Sequence, residues 1–198
     1  MNMRGTCAAS ATVVLVVATL AGCGASGSPA AADPKPPPAP AESNPPGDIP
    51  DNQVYVVFKP PTGGFTVSVP EGWARTSTGP VTAFTDKLNR IEVSERAAAQ
   101  APTIASVTAR DVPALAKAVS GFAPGKASEV TRKSGKALLY TYQGNTAPDP
   151  VTGKAVRDAF ERYVFHHDSR DIVLTLSGPV TADNVDPWRT VTDSLRWP

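Results

Sequence analysis

The sequence predicts an α+β fold, a twisted antiparallel sheet covered by helices, and three observations predict it. All thirteen aromatic residues lie between Tyr55 and Trp197, so only that stretch can build a core. Within it, period-2 segments occur as a group of strands, then a helical stripe, then a meander, then a second helical stripe. The turn-forming text between the meander strands, rich in Gly, Pro, Asn and Asp, joins antiparallel neighbours.

Taken in order, Val54 to Phe58 reads as a strand ended by Pro60, Pro61 and the turn at Gly63 and Gly64. Phe65, Val67 and Val69 alternate with Thr66 and Ser68, the pattern of a strand with one wet face. Pro70, Glu71 and Gly72 form a turn that delivers Trp73. Val81 to Asp86 and Asn89 to Arg96 are the next strands. From Thr103 the period changes: Ile104, Val107, Val112, Leu115 and Val119 form a broken helical stripe with Pro113 in its middle. The expectation is a short helical turn, then a main helix capped by Asp111 that runs to about Val119 and is closed by Gly121. Strands return at Ser128 to Lys133, Lys136 to Gln143, Arg157 to His167 and Asp171 to Ser177. Gly, Pro, Asn and Asp between the second and third of these mark a long hairpin loop. Val185, Trp188, Val191 and Leu195 give a terminal amphipathic helix, with Asp186 capping and Pro187 at its first position.

The amino-terminal quarter has a different physics. Nine of the 21 prolines lie at or before Pro50, which excludes regular secondary structure across that stretch. Before it, Arg4 precedes an apolar run from Ala11 to Ala21, too short to span a bilayer and of the form of an exported signal. Leu20, Ala21, Gly22 and Cys23 resemble the lipobox of bacterial lipoproteins, where a diacylated cysteine becomes the new amino terminus. The second cysteine, Cys7, lies inside the signal, so a processed chain keeps Cys23 alone and forms no internal disulfide. The expected organisation is a signal peptide over 1–22, an acylated Cys23 with a Pro-rich stalk over 23–53, and one α+β domain over 54–198. The expected location is the extracytoplasmic face of the cell membrane, the lipid on Cys23 making the membrane itself a partner.

With 19 Lys and Arg against 18 Asp and Glu, there is no basic excess for a phosphate backbone, so no nucleic-acid partner is expected. Catalytic patterns fail one by one. His166 and His167 are strand neighbours and point to opposite faces, leaving a polar strand end and a tight turn through Asp168, Ser169 and Asp171. No G-x-S-x-G elbow, H-E-x-x-H or C-x-x-C is present. Glu92 and Glu95 fall on opposite strand faces, and Asp183 and Asp186 read as helix-end residues. The stretch from Gly121 to Ser128 misses a phosphate loop in glycine spacing and at Ala127, and reads as a helix exit with Gly125 and Lys126 in a turn. No enzyme activity, metal or cofactor is expected. Tyr140, Tyr142, Tyr163 and Phe165, with Phe160, form either core or, on an uncovered sheet face, a groove for a lipid or partner peptide.

The segment from Phe65 to Trp73 (FTVSVPEGW), the element order after it and the terminal text DNVDPWRTVTDSLRW resemble the PsbP-like superfamily, including actinobacterial lipoproteins of the LpqN/LpqT type. The resemblance implies an α/β/α sandwich around an antiparallel sheet, structural roles for Gly72 and Trp73, and a binding or assembly function. The functional expectation is therefore a non-catalytic binding or scaffold module of the cell envelope with a protein partner. The alternative is a carrier or sensor of an apolar envelope ligand.

Overall fold

The computed structural model describes residues 45–149 and 151–198. In chain order the elements are β1 (Tyr55–Phe58), β2 (Val67–Pro70), β3 (Ala74–Thr78), β4 (Val81–Asp86), β5 (Asn89–Ala97), α1 (Ile104–Ala118), β6 (Ala123–Arg132), β7 (Gly135–Asn145), β8 (Arg157–His167), β9 (Arg170–Pro179) and α2 (Val185–Asp193). Seven strands form one antiparallel sheet in the order β3-β4-β5-β9-β8-β7-β6. β1 and β2 form a separate hairpin.

The position of β9 follows from its text. Nine of its ten residues are buried, which is the burden of a strand with covered faces and neighbours on both sides. It is joined to β8 by Asp168 and Ser169, both at positive φ (47° and 60°), the backbone that a two-residue hairpin turn requires. The expected polar turn is thus present.

Two hydrophobic layers sandwich the sheet. On one face, Ile91, Val93, Tyr163, Phe165, Ile172, Leu174 and Leu176 meet Phe58, Val67 and Val69 of the hairpin and Trp188, Val191 and Leu195 around α2. On the other, Leu138, Tyr140, Tyr142, Val164 and Val173 meet Val107, with Val112, Leu115 and Val119 packed beside it. The architecture is α+β, with α1 over one face and α2 together with the β1–β2 hairpin over the other. Thr66 and Arg196 exchange backbone bonds of 2.9 Å, and the Ser68 amide donates to Ser194 Oγ at 2.7 Å, so the terminal segment is fastened to β2.

Five local expectations are corrected. α1 is one helix of 15 residues, started by a capping box between Thr103 and Ser106; Asp111 is in its interior. Pro113 is tolerated because it sits on the exposed side, where the carbonyl one turn back can turn to water. Gly125 and Lys126 lie within β6, at an irregularity of register between Pro124 and Ala127, instead of in a turn. Asn184 precedes α2, while Asp186 is inside its first turn and caps nothing; Val185 is 68% exposed and leaves the buried stripe. β3 was not anticipated, since all five residues are exposed and carry no apolar alternation.

Packed structure also begins earlier than composition suggests. Ile49 is buried against the core, its amide donating to Asn184 Oδ1 at 2.8 Å. The Gly47 carbonyl accepts from Asn89 and Asn184 at 2.8 and 3.0 Å. Gly47 and Ile49 are therefore fixed onto the domain by two buried asparagines.

Candidate functional site: a groove between the hairpin and the sheet edge

Cys7, Cys23, Leu20, Ala21 and Gly22 lie outside the described residues. The four aromatic candidates are described, and they part company. Tyr163 registers opposite Leu139, not opposite Tyr140, which faces Arg162. That one-residue offset puts Tyr140 and Tyr142 on the α1 face and Tyr163 and Phe165 on the hairpin face. All four are buried and line no common surface. Tyr142 stacks on Phe160 with centroids 4.6 Å apart, and burial pushes its hydroxyl up to about 12. The Tyr163 hydroxyl donates to Glu161 and accepts from Arg132, both at 2.7 Å; burial first and Glu161 second raise it.

His166 also has a partner that its place in the sequence conceals. β8 and β9 align it with Asp171, and its Nδ1 lies 2.9 Å from Asp171 Oδ1. Asp171, only 1% exposed, accepts from Arg96 Nε at 3.1 Å, and Arg96 reaches Asp111 of α1 at 3.0 Å. Arg110 adds a bond to Asp111 at 2.9 Å. Burial pulls the Asp111 carboxyl up, but the hydrogen bonds from Arg96 and Arg110 and the charges of Arg96 and Arg162 outweigh it and leave the group below its ordinary range. This cluster ties α1 to the sheet.

Elsewhere lies a groove of about 580 Å³, within the usual range for a ligand site. One wall is Phe58, Pro60, Pro61 and Thr62, the end of β1 and the loop after it. Its floor is the hairpin-side face of β3, β4 and β5, where Arg75, Ser77, Thr82, Val93 and Glu95 line up because Ser77 registers with Thr82 and Thr82 with Val93. Pro80 closes one end and Arg170 the other.

The groove is apolar in its walls and charged at two points. Arg75 lays its guanidinium over the Phe58 ring, 4.7 Å from the centroid, and has no carboxylate partner among the described residues. Glu95 is satisfied by Arg170 at 3.1 Å and by the Thr62 hydroxyl at 3.1 Å. Gly64 lies so close to the Arg170 guanidinium that any side chain there would displace it. With Arg170 paired to Glu95, and Arg96, which also lines the groove, paired to Asp111 and Asp171, Arg75 is the one cation in excess. β1 adds Val56 and Val57, 41% and 70% exposed, beside the wall. Sequence reasoning missed this site because its floor includes β3, and its parts come from segments that only the fold brings together.

No family model matches the chain, and no curated protein matches it. Solved structures do. PsbP of the cyanobacterium Synechocystis superposes with a TM-score of 0.53 at 13% identity, over 77% of this chain and 98% of that one. The Ran-binding protein Mog1p of Saccharomyces cerevisiae gives 0.52 at 11% identity, over 73% and 96%. LpqN of Mycobacterium tuberculosis, involved in cell envelope biogenesis, gives 0.42 at 12% identity, over 75% and 93%. The likeness to the cyanobacterial protein makes this a domain of the PsbP-like fold.

Proposed function

We propose that the protein is an exported lipoprotein, anchored through Cys23 on the outer face of the cell membrane, whose domain is a non-catalytic binding or scaffold module for an envelope protein. The groove beside Phe58, Arg75 and Glu95 carries this reading, since it joins an apolar wall to an unsatisfied cation at an accessible sheet edge. The apolar run, the lipobox and the Pro-rich stretch support the anchor, and no helix among the described residues is long and apolar enough to cross a membrane. A protein of the same fold, Mog1p, is itself a Ran-binding protein.

The test has two arms. Cys23→Ala should abolish incorporation of labelled fatty acid and release the protein from membranes; retained label ends the anchoring reading. A photoreactive residue at Thr82, on the groove floor, should crosslink one envelope protein in cells. A second reading, a carrier of an apolar ligand, is favoured by Phe58, Pro60, Pro61 and Val93 in the same groove. A lipid that copurifies in stoichiometric amount, with no protein crosslink, would replace the scaffold reading by that one.

A further inference from the structure

The two ends of the large sheet are treated differently. β6, one edge, carries Pro124, Gly125 and Lys126 at a break in register, which are the devices that stop a neighbouring chain from pairing there. β3, the other edge, is short and carries a single charge at Arg75, but it has no proline, glycine, lysine or break in register. Its five residues keep unbroken register with β4, from Ala74 opposite Thr85 to Thr78 opposite Val81. They include neither proline nor lysine, all are exposed, and Thr76 and Thr78 are β-branched. An edge of this kind offers a row of unpaired amides and carbonyls.

We propose that β3 is a docking edge and that its occupant is an extended, acidic peptide segment of the partner, which adds an eighth strand beside β3. This deepens the scaffold reading and rests on it. Charge selects the occupant: Arg75 is the one charged residue of β3, it points to the groove side with Ser77, and the groove it enters has a cation in excess. A strand laid along β3 would place every second side chain over the groove rim, where a carboxylate meets the Arg75 guanidinium. Its main-chain groups would take up the free amides and carbonyls of β3. A second copy of this chain is the less fitting occupant, because it would bring another arginine and no carboxylate to the same edge.

The experiment uses the full chain in detergent with synthetic peptides about eight residues long, an ordinary strand length. One alternates valine with aspartate; the second replaces aspartate by lysine; the third is the acidic peptide N-methylated at alternate amides. The acidic peptide should bind about tenfold more tightly than the lysine one, the order expected when attraction at a cross-strand site becomes repulsion. N-methylation should abolish binding on the face that pairs. Arg75→Glu, at an exposed position, should invert the preference without moving the melting temperature. Hydrogen exchange should slow at β3 amides and not at β6.

Equal binding of both peptides, protection at β6, or indifference to Arg75→Glu would overturn the proposal. So would concentration-dependent dimers paired through β3, or binding to phosphatidylglycerol vesicles that the acidic peptide fails to displace. A partner crosslinked in cells through another surface would overturn this placement and leave the scaffold reading intact. Absence of any protein partner would remove both.

Discussion

Trp188→Ala tests whether the terminal helix is a strut of the fold. The indole is 8% exposed and belongs to the layer formed by Phe65, Val67, Val191 and Leu195 against the sheet. Truncating a buried tryptophan removes its transfer free energy and leaves a cavity, a loss of about 3–5 kcal/mol. A domain of this size loses about 2–4 °C of melting temperature per kcal/mol, which gives a fall of roughly 6–20 °C. Urea unfolding read by near-ultraviolet circular dichroism should show the midpoint moving by about 1–3 M at an unchanged slope. Arg189→Ala is the control: its side chain is 65% exposed and its Asp193 contact is 3.6 Å, so the change should stay within about 0.5 kcal/mol. The reasoning is refuted if Trp188→Ala melts within a degree or two of the parent, or if the two variants lose stability equally.

Three further outcomes follow from buried polar groups. Asp158 is buried with Oδ1 unpartnered, and burial raises its carboxyl from 3.8 to about 6. Because the folded value exceeds the unfolded one, its contribution favours folding most below pH 3.8 and is lost as pH rises through about 6. Asp158→Asn should therefore gain on the order of 1–2 kcal/mol at neutral pH and flatten the pH dependence of the urea midpoint; an unchanged profile refutes this. Asp111→Ala should cost about 1–3 kcal/mol by removing the acceptor shared by Arg96 and Arg110 while Arg96 keeps Asp171, and a melting curve like the parent's would show that this part of the cluster is dispensable. The carboxyl of Asp111 lies lower folded than unfolded, so its stabilisation is present above pH 3.8 and lost as pH falls through the depressed value. Asn184→Ala should cost about 1–3 kcal/mol and speed hydrogen exchange at Ile49, and a still-protected Ile49 amide counts against the clamp.

Where burial alternates with the local period, the sequence is readable. Val81 to Asp86 and Arg157 to His167 match β4 and β8 residue for residue, and the run in β9 marks the strand at the centre of the sheet. β3 is unreadable for the opposite reason: an edge strand exposed on both sides has no hydrophobic pattern, so Ala74 to Thr78 looks like a loop. Asp111 is misleading because a helix-interior carboxylate facing the core makes sense only beside Arg96, which another element supplies. The tyrosines show a further limit. Which face a strand residue takes is periodic and local, but whether two strands share that face depends on register, which Tyr140 and Tyr163 settle against a common surface. The groove was illegible since its walls and floor meet only after the hairpin folds over the sheet.

The asparagine clamp shortens the leash. If Cys23 carries the lipid, the hold on Gly47 leaves at most residues 24–46 as the span between bilayer and domain, instead of the stretch to residue 53. At no more than about 3.6 Å per residue, 23 residues reach at most about 83 Å, which bounds how far from the bilayer the module can search. The clamp also has a fixed place relative to the groove. It grips Asn89 at the start of β5, whereas Glu95 and the Arg170 closure of the groove stand toward the other end of that strand, about 20 Å away at 3.4 Å per residue. Clamp and groove thus occupy opposite ends of one strand, so a partner seated beside Arg170 would leave the hold of Asn89 and Asn184 on Gly47 untouched.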